Sequence, residues 1–418
     1  MTKGLKALIT GGLAAAILFG AQIAPARIVV ESGMGTIGGL VGAGKLAGAV
    51  RLLKSEYRFD SPSGAAALRD FSLTVLHQAL NDPDPYERCY AATSLAAYDD
   101  WSGRPIIAAA LDSPNLLIQK AAVEGLAEAG NPEALSILER FYRLSGSVSQ
   151  AIALHALAEV KAPAVMPILI EAATDPHSAG VFWAVNGLGR MGDRDALPYL
   201  HVLLVKSIDP MVRTEAAHSM ILLGDRSLGM TDTLEEGLGS GDMEVAAEAT
   251  LALGDAHDPT TVGLLKETVS NNQAADQLRI AAAVALTHFG NDEGLPMLMA
   301  ALGDQRRRQD VLAMLDHLDF TVGRPLLLRA LACDEPQVRL TAYEVIGRDG
   351  GEAEIGLLSD AIGRTTDPMD LAQIAWSLGR IGRPDSIPVL LNLVQNPAPE
   401  VRYTAAEALA RIADKRDN

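Results

Sequence analysis

The sequence predicts an all-α protein: an α-α superhelix, or solenoid, of about ten to eleven helix pairs, with a separate hydrophobic segment at its N-terminus. Three observations predict this class. An apolar residue recurs about every 31 residues, prolines recur ten positions after it, and arginines recur seven positions before it. A single helix pair cannot bury its own apolar face, so copies must stack on both sides of it. We therefore expect one elongated domain.

One complete repeat is spelled by residues 367–396. Its first predicted helix carries Ile374, Leu378 and Ile381 at helical spacing and stops at Gly382. Leu378 belongs to a column of register residues that follow one another at intervals of 29 to 33 positions. The column consists of Leu95, Leu126, Leu157, Leu188, Met220, Leu253, Leu286, Leu315, Ile346, Leu378 and Leu409.

Proline marks the start of the second helix of a repeat, because it fixes φ, lacks an N–H and is tolerated in the first helical turn. The proline column holds Pro105, Pro167, Pro198, Pro296, Pro325 and Pro388. The arginine column follows predicted turns, and we expect its side chains to bond the turns of neighbouring repeats. It holds Arg88, Arg213, Arg279, Arg308, Arg339 and Arg402.

At these three columns the chain resembles the HEAT repeat family, specifically the short bacterial HEAT-like repeats of the phycobilisome-lyase type, over residues 62–414. The resemblance implies an α-α superhelix whose first helices line a concave surface. It implies almost nothing about chemistry, because the residues that carry it are packing residues. The period is shorter than the ~40–47 residues of longer HEAT units, so short helices and tight turns are expected.

Charge and cysteine usage exclude some partners. The formal net charge is −17, from 35 Lys and Arg against 52 Asp and Glu. This balance predicts no nucleic-acid partner, because phosphates are bound by clustered Lys and Arg. The two cysteines, Cys89 and Cys333, lie about eight repeats apart and predict no disulfide framework.

Residues 1–26 do not fit the repeat. Lys3 and Lys6 precede an uncharged run, residues 7–24, and small residues follow at the spacing a signal peptidase reads. The segment predicts a signal peptide or an N-terminal membrane anchor, which would attach the chain to the inner membrane through residues 7–24 and place the repeats in the periplasm of a bacterium. A cytoplasmic protein with an N-terminal helix is the alternative.

Residues 27–60 contain two short patterns that resemble nucleotide-binding motifs. The GxGxxG at 33–38 would need a βαβ unit, and the GxxxxGK at 39–45 is followed by Leu46 where Ser or Thr should hold magnesium. We therefore interpret 27–60 as a glycine-rich tether. Beyond it we expect the HEAT-like solenoid at 61–414, opened by a lone capping helix at 64–80, and a polar tail at 415–418.

Function is expected on the polar ridge formed by positions six before, two before and two after each register residue. The ridge is acidic near its start and basic near its end, which predicts a bipolar surface that orients a protein or peptide partner. Trp and Arg dominate binding energy at interfaces, and both stand on it. The alternative is that the ridge residues are ordinary solvated residues of a helix face and bind no partner. The predicted partner-binding residues are Glu124, Glu128, His155, Glu159, Arg190, His218, His288, His317, Arg348, Trp376, Arg380, Tyr403 and Arg411.

The sequence predicts no catalytic residue, cofactor or metal. His155 and His218 share a slot, but helix layers about 10 Å apart keep them from one metal. His288 and His317, with Asp255 nearby, make the one arrangement resembling a metal or acid–base site, and it is too wide unless side chains reach toward each other. The HEAT-fold deoxyhypusine hydroxylases rely on His-Glu dyads, and none of the eight histidines here precedes a Glu.

The favoured interpretation is a non-enzymatic scaffold or adaptor that binds a partner on the concave helix face. The alternative is a phycobilin-lyase-like chaperone or enzyme of the HEAT-like family. An export-like N-terminus and the lack of identifiable tetrapyrrole-binding residues weigh against that alternative. The oligomeric state is left open by the sequence.

Overall fold

The structure, a computed structural model, describes residues 33–175, 177–225 and 229–417. These residues form 24 α-helices and five short 3-10 turns, and no strand occurs among them. The helices are α1 (Gly33–Gly42), α2 (Leu46–Glu56), α3 (Pro62–Ala79), α4 (Pro85–Ala96), α5 (Arg104–Leu111), α6 (Leu116–Ala129), α7 (Pro132–Leu144), α8 (Ser147–Ala158), α9 (Met166–Thr174), α10 (Val181–Arg190), α11 (Leu197–Lys206), α12 (Pro210–Leu222), α13 (Met230–Leu238), α14 (Met243–Asp255), α15 (Val262–Ser270), α16 (Asp276–Thr287), α17 (Leu295–Gly303), α18 (Arg308–Leu312), α19 (Phe320–Leu331), α20 (Pro336–Asp349), α21 (Glu352–Ile362), α22 (Pro368–Ile381), α23 (Ile387–Leu393) and α24 (Pro399–Asp417).

The register column is the core of the stacked pairs. Each of its eleven residues, from Leu95 to Leu409, has a relative exposure of at most 1%. Removing an apolar side chain from water stabilises the stack, which is why an apolar residue is needed at this position once per repeat. The predicted all-α solenoid of helix pairs is confirmed.

Local sequence sets the helix ends. In α22 the Asp367 side chain accepts a hydrogen bond from the Met369 N–H, and Gly382, at φ 73°, ends the helix in the left-handed region. Five of the six column prolines lie in a first turn, as predicted. Pro325 lies inside α19, because that helix begins five residues earlier, at Phe320, after the Asp319 cap.

The arginine column has a more local role than expected. Arg213 donates to the Ser207 carbonyl and Arg339 to the Cys333 carbonyl, each six residues earlier. Arg88 and Arg402 repeat this contact with the turns that precede them. The arginines therefore fasten the turn that leads into their own helix, where carbonyl groups at the end of the previous helix need donors.

The chain divides into two compact units. We call residues 132–342 the middle unit, and residues 33–131 together with 343–417 the terminal unit. Within the terminal unit the last helix, α24, packs against α3, α4, α22 and α23. We expected α3 to close the array at its first repeat. Instead the first and last repeats of the chain lie directly against each other.

The predicted tether is helical from Gly33. Helices α1 and α2 pack on each other, α1 packs on α3, and Ile37, Val41 and Leu53 are fully buried. The GxGxxG pattern therefore lies on a helix, which agrees with rejecting a dinucleotide site there. The predicted signal peptide or anchor, residues 1–26, lies outside the described residues. Among the described helices none is both long and apolar enough to cross a membrane.

Candidate functional site

A polar cluster lies in the packed interior of the middle unit, on three consecutive first helices. Its members are Glu215 and His218 on α12, Glu248 and Asp255 on α14, and His288 just after α16, and we call it the His218 cluster. Nε2 of His218 lies 2.8 Å from Oδ2 of Asp255. Since α12 and α14 pack directly together, a histidine and an aspartate can bridge the spacing between repeats.

Asp255 also bonds the third helix of the cluster. Its Oδ1 lies 3.0 Å from Nδ1 of His288, and Nε2 of His288 faces the backbone carbonyl of His317. A carbonyl oxygen can only accept, so this nitrogen carries a proton. With its other nitrogen against a carboxylate, His288 is held as the imidazolium. One aspartate thus links two histidines from different repeats.

The second nitrogen of His218 faces two more carboxylates. Nδ1 lies 3.7 Å from Oε2 of Glu215 and 3.6 Å from Oε1 of Glu248. These distances exceed the 2.7–3.2 Å usual for an N–H···O bond. Both Nδ1 of His218 and Oε2 of Glu215 are buried and have no hydrogen-bond partner. One ring nitrogen and two carboxylate oxygens therefore surround one small space.

The other oxygen of Glu215 is held firmly. Its Oε1 accepts from Nδ2 of Asn186 at 3.0 Å and from the Ser219 hydroxyl at 3.3 Å. The Ser219 hydroxyl has a single proton, and the Val185 carbonyl on α10, at 2.9 Å, is a second acceptor for it. Spacing along α12 places Glu215, His218 and Ser219 on one helix face, at i, i+3 and i+4. The carboxylate is thus fixed with its unbonded oxygen toward His218.

The protonation of the cluster follows from burial and charge. Burial lowers the pKa of His218, but the hydrogen bond to Asp255 and the nearby negative charges of Glu215 and Glu248 outweigh burial and raise this pKa well above its usual value. The pKa of Asp255 is lowered, because its bonds to His218 and His288 outweigh the opposing effect of burial. Burial raises the pKa of Glu215. The cluster therefore gathers three carboxyl groups around His218, with Glu215 and His218 buried and Glu248 13% exposed.

In the terminal unit, the predicted ridge residues bind one another. Oε1 of Glu128 accepts from Arg380 at 3.2 Å and from Arg411 at 2.7 Å. The Arg380 guanidinium also lies over the Trp376 ring, 5.4 Å from its centroid. Tyr403 is buried and donates to Asp82. The acidic start and the basic end of the predicted ridge therefore neutralise each other within the chain.

The remaining ridge residues are paired more locally. Glu159 and Arg190 form an exposed ion pair at 2.7 Å, and the His155 ring packs edge-on against Trp183. Glu124 pairs with Lys120, Arg348 with Asp349, and the His317 carbonyl faces His288. Of the thirteen predicted residues, the structure brings His218 and His288 together through Asp255 and joins Glu128, Arg380 and Arg411. It does not assemble the set into one site.

A second candidate surface was not predicted from the sequence. Helix α11 buries only Leu200, although it is strongly apolar. Tyr199, Val202, Val205 and Ile208 recur every three residues along α11 and just beyond it, and all are exposed, Val205 by 77% and Ile208 by 96%. We call these four residues the α11 stripe. The sequence signal was available, since the helix is apolar on more faces than one packing contact can cover.

Comparison with known proteins identifies the repeat. A family model described as HEAT repeats matches residues 73–148, 144–221, 231–316 and 357–417. Deoxyhypusine hydroxylase-B from Oryza sativa subsp. japonica is 26% identical over 238 residues, which cover 50% of this chain and 79% of that protein.

The solved structures that align with this chain include those of two enzymes. The complex of CpcE and CpcF of phycocyanin lyase from Nostoc sp. PCC7120 aligns at a TM-score of 0.36 and 18% identity, over 58% of this chain and 94% of that one. Human deoxyhypusine hydroxylase in complex with glycerol aligns at 0.27 and 21%, over 68% and 99%. TM-scores this low do not allow a functional site of either structure to be assigned to this chain.

These comparisons overturn one prediction. The chain was expected to be non-enzymatic, but the protein it resembles in sequence over half its length is a hydroxylase. The repeat columns consist of packing residues, and such residues do not indicate whether a protein is an enzyme. The His218 cluster was also missed, because Glu215 and Glu248 stand five positions before their register residues, outside the ridge that we considered.

Proposed function

Since the chain belongs to the HEAT repeat family, we propose that it binds a protein partner and that the α11 stripe of the middle unit is the contact surface. The exposed apolar side chains of the stripe carry this proposal. Soluble proteins seldom leave contiguous large apolar side chains in water, and such patches mark interaction sites. Ridge residues that remain exposed, such as Glu159 and Arg190, are a proposed secondary contact.

The concentration of these side chains in one region supports the choice. Among the described residues the exposed large apolar side chains number ten, and seven of them lie between 144 and 222, all in the middle unit. By contrast, α23 buries four of its seven residues. Second helices of this fold can therefore cover their apolar residues, and α11 does not. The matching partner presents an apolar face, such as one side of an amphipathic helix.

The test compares charged substitutions on two second helices of the same unit. V202E and V205E in one chain place charges on the stripe, and L328E places one at an exposed apolar position of α19. Proteins retained from an extract of the source organism by the wild type and by L328E should be lost with the double variant. Retention of the same proteins by all three chains would contradict the proposal, and sedimentation would show whether the partner is a second copy.

A second candidate function is catalysis at the His218 cluster. The observation that favours it is the unbonded Nδ1 of a histidine whose other nitrogen is fixed by Asp255, an arrangement suited to moving a proton. Similarity to a hydroxylase agrees with an enzyme, although the His-Glu dyads on which the HEAT-fold hydroxylases rely are absent. Extract proteins whose mass changes with the wild type but not with H218Q would support it, and identical spectra would count against it.

We further propose, from residues 1–26, that the chain is exported or anchored in the inner membrane. Fractionation and N-terminal sequencing of the native product test this. A soluble periplasmic chain starting at Arg27 indicates cleavage, and an intact Met1 in membranes indicates an anchor. An intact chain in the cytosol would contradict export.

A further inference from the structure

We propose that Glu215, His218 and Glu248 bind one divalent transition-metal ion, with His218 contributing Nδ1. The three ligand atoms lie within 4.8 Å of one another, in the packed interior of the middle unit. The proposal goes beyond partner binding, because none of these residues belongs to the α11 stripe. It is also distinct from the second candidate function, because a metal on Nδ1 of His218 would occupy the nitrogen that moves the proton in that function.

The space between the three atoms has the size of a metal site. Two ligand atoms on one metal with bonds of roughly 2.1 to 2.4 Å lie at most about 4.8 Å apart. The separations of 3.6 and 3.7 Å from Nδ1 to the two carboxylate oxygens fall within that limit, as do those among the three residues' ligand atoms. A proton is a poorer occupant, because hydrogen bonds of that length are weak. Buried polar atoms without partners cost free energy, and one cation would satisfy both that are orphaned here.

The surroundings have the features of a metal centre. A histidine that binds a metal through one nitrogen usually donates its other N–H to a carboxylate, and Nε2 of His218 faces Asp255 at 2.8 Å. Asn186 and Ser219 hold Glu215 through the oxygen that does not face the space. Both sets of contacts orient a ligand atom toward one point. Three protein ligands leave a coordination position open for water or a substrate atom.

Charge favours a divalent ion. A divalent cation bound between Glu215, His218 and Glu248 would take the place of any proton on Nδ1 of His218, and its positive charge would offset the carboxylates that surround it. Unpaired charges in the interior are costly, so the cluster needs this compensation. One imidazole and two carboxylates suit zinc, manganese, iron or cobalt, whereas calcium and magnesium prefer ligand sets of oxygen alone.

Access is from the Glu248 side. The side chains of Glu215 and His218 are 0% and 3% exposed, whereas Glu248 is 13% exposed. An ion can therefore enter past Glu248, and the other two ligands lie behind it. Replacing Glu248 should affect binding with the least disturbance of packing, which makes it the first variant to test.

The experiment measures metal bound to the full-length, untagged chain after removal of metal by a chelator. Equilibrium dialysis against micromolar Zn²⁺, with elemental analysis, should give one ion per chain for the wild type. E248Q and E215Q retain side-chain size and should lose that ion. D255N removes the charge of the carboxylate that bonds both His218 and His288 and leaves the three ligands in place, so it should weaken affinity by about 10- to 100-fold.

The matched control is H201A. His201 forms a half-exposed pair with Asp225 at 2.9 Å in the same unit, so its loss removes a His–Asp pair without touching the cluster. H201A should bind zinc like the wild type, and circular dichroism should show every variant folded. A wild type that takes up neither Zn²⁺ nor Mn²⁺ overturns the proposal, as does equal uptake by the wild type, E248Q and E215Q. Neither outcome bears on the α11 stripe, which V202E and V205E test separately.

Discussion

Nη2 of Arg411 donates a hydrogen bond to Oε1 of Glu128 at 2.7 Å, although the two residues are 283 positions apart in the sequence. Arg380 shares the same carboxylate oxygen. The contact joins the last repeat to α6 within the terminal unit, where α24 packs on α3 and α4. The charges that the sequence offered to an external partner are therefore used to hold the two ends of the repeat array together.

Removing Glu128 should loosen this junction. Glu128→Gln removes the negative charge that Arg380 and Arg411 share, and we expect it to lower the free energy of unfolding by about 1 kcal/mol, because these charge-assisted hydrogen bonds are partly buried. Urea denaturation of the full chain measures this. Glu352→Gln is the control, since its pair with Arg383 is well exposed and should contribute little. An equal effect of both substitutions would show that the junction is not held by Glu128.

Glu87 should make stability depend on pH. Burial, with nearby acidic groups including Glu400 and Asp82, raises its pKa to about 7, against 4.5 in an unfolded chain. A raised folded pKa stabilises the protein fully below pH 4.5, and this stabilisation is lost as the pH rises to about 7. We expect Glu87→Gln to remove that loss. At pH 8 the free energy of unfolding of the variant should therefore exceed that of the wild type by about 1 to 2 kcal/mol.

The measurement for Glu87 is the difference in unfolding free energy between variant and wild type at pH 5 and at pH 8. It should be larger at pH 8. Glu235→Gln, at an exposed position of α13, controls for removing one negative charge from an acidic protein. If both variants show the same pH dependence, the burial of Glu87 is not its cause.

Glycines that follow register residues should resist substitution. A Cβ on Gly379, next to Leu378, would lie 2.6 Å from Cβ and 2.8 Å from Cα of Ala408, so the approach of α22 to α24 leaves no room for it. We expect Gly379→Ala to destabilise the chain by about 1 to 3 kcal/mol. Gly356→Ala on α21 meets nothing within 4 Å and should instead stabilise by about 0.5 to 1 kcal/mol, because alanine is the better helix former.

Thermal unfolding of the two alanine variants, followed by circular dichroism, decides this prediction. The transition temperatures should move in opposite directions from the wild type. A rise for Gly379→Ala would mean that the two helices separate without cost and that the small residue is not needed for their contact.

Local regularities made the fold predictable from the sequence. The residues from Leu95 to Leu409 recur at the repeat spacing, and prolines such as Pro388 mark helix starts, so both could be read without knowing any distant contact. Contacts between the chain ends could not be predicted this way. Nothing near Glu128 indicates that Arg411 will reach it, because the two residues are 283 positions apart and no local pattern links them.

The candidate site was partly visible in the sequence. His218, Asp255 and His288 occupy ridge positions, so the sequence placed them on one helix face. The spacing of helix layers did not indicate that one aspartate would bond histidines of two different repeats. The apolar residues of α11 are also evident in the sequence. They were not predicted as a contact surface, because the predicted ridge consists only of residues from the first helix of each repeat.

Anomalous X-ray diffraction from crystals of the full chain grown with Zn²⁺, recorded on both sides of the zinc absorption edge, tests most directly whether the His218 cluster is a metal site. We expect one strong anomalous peak within bonding distance of Glu215 Oε2, His218 Nδ1 and Glu248 Oε1. A map with no peak there, while the three side chains keep the separations described above, would contradict the site.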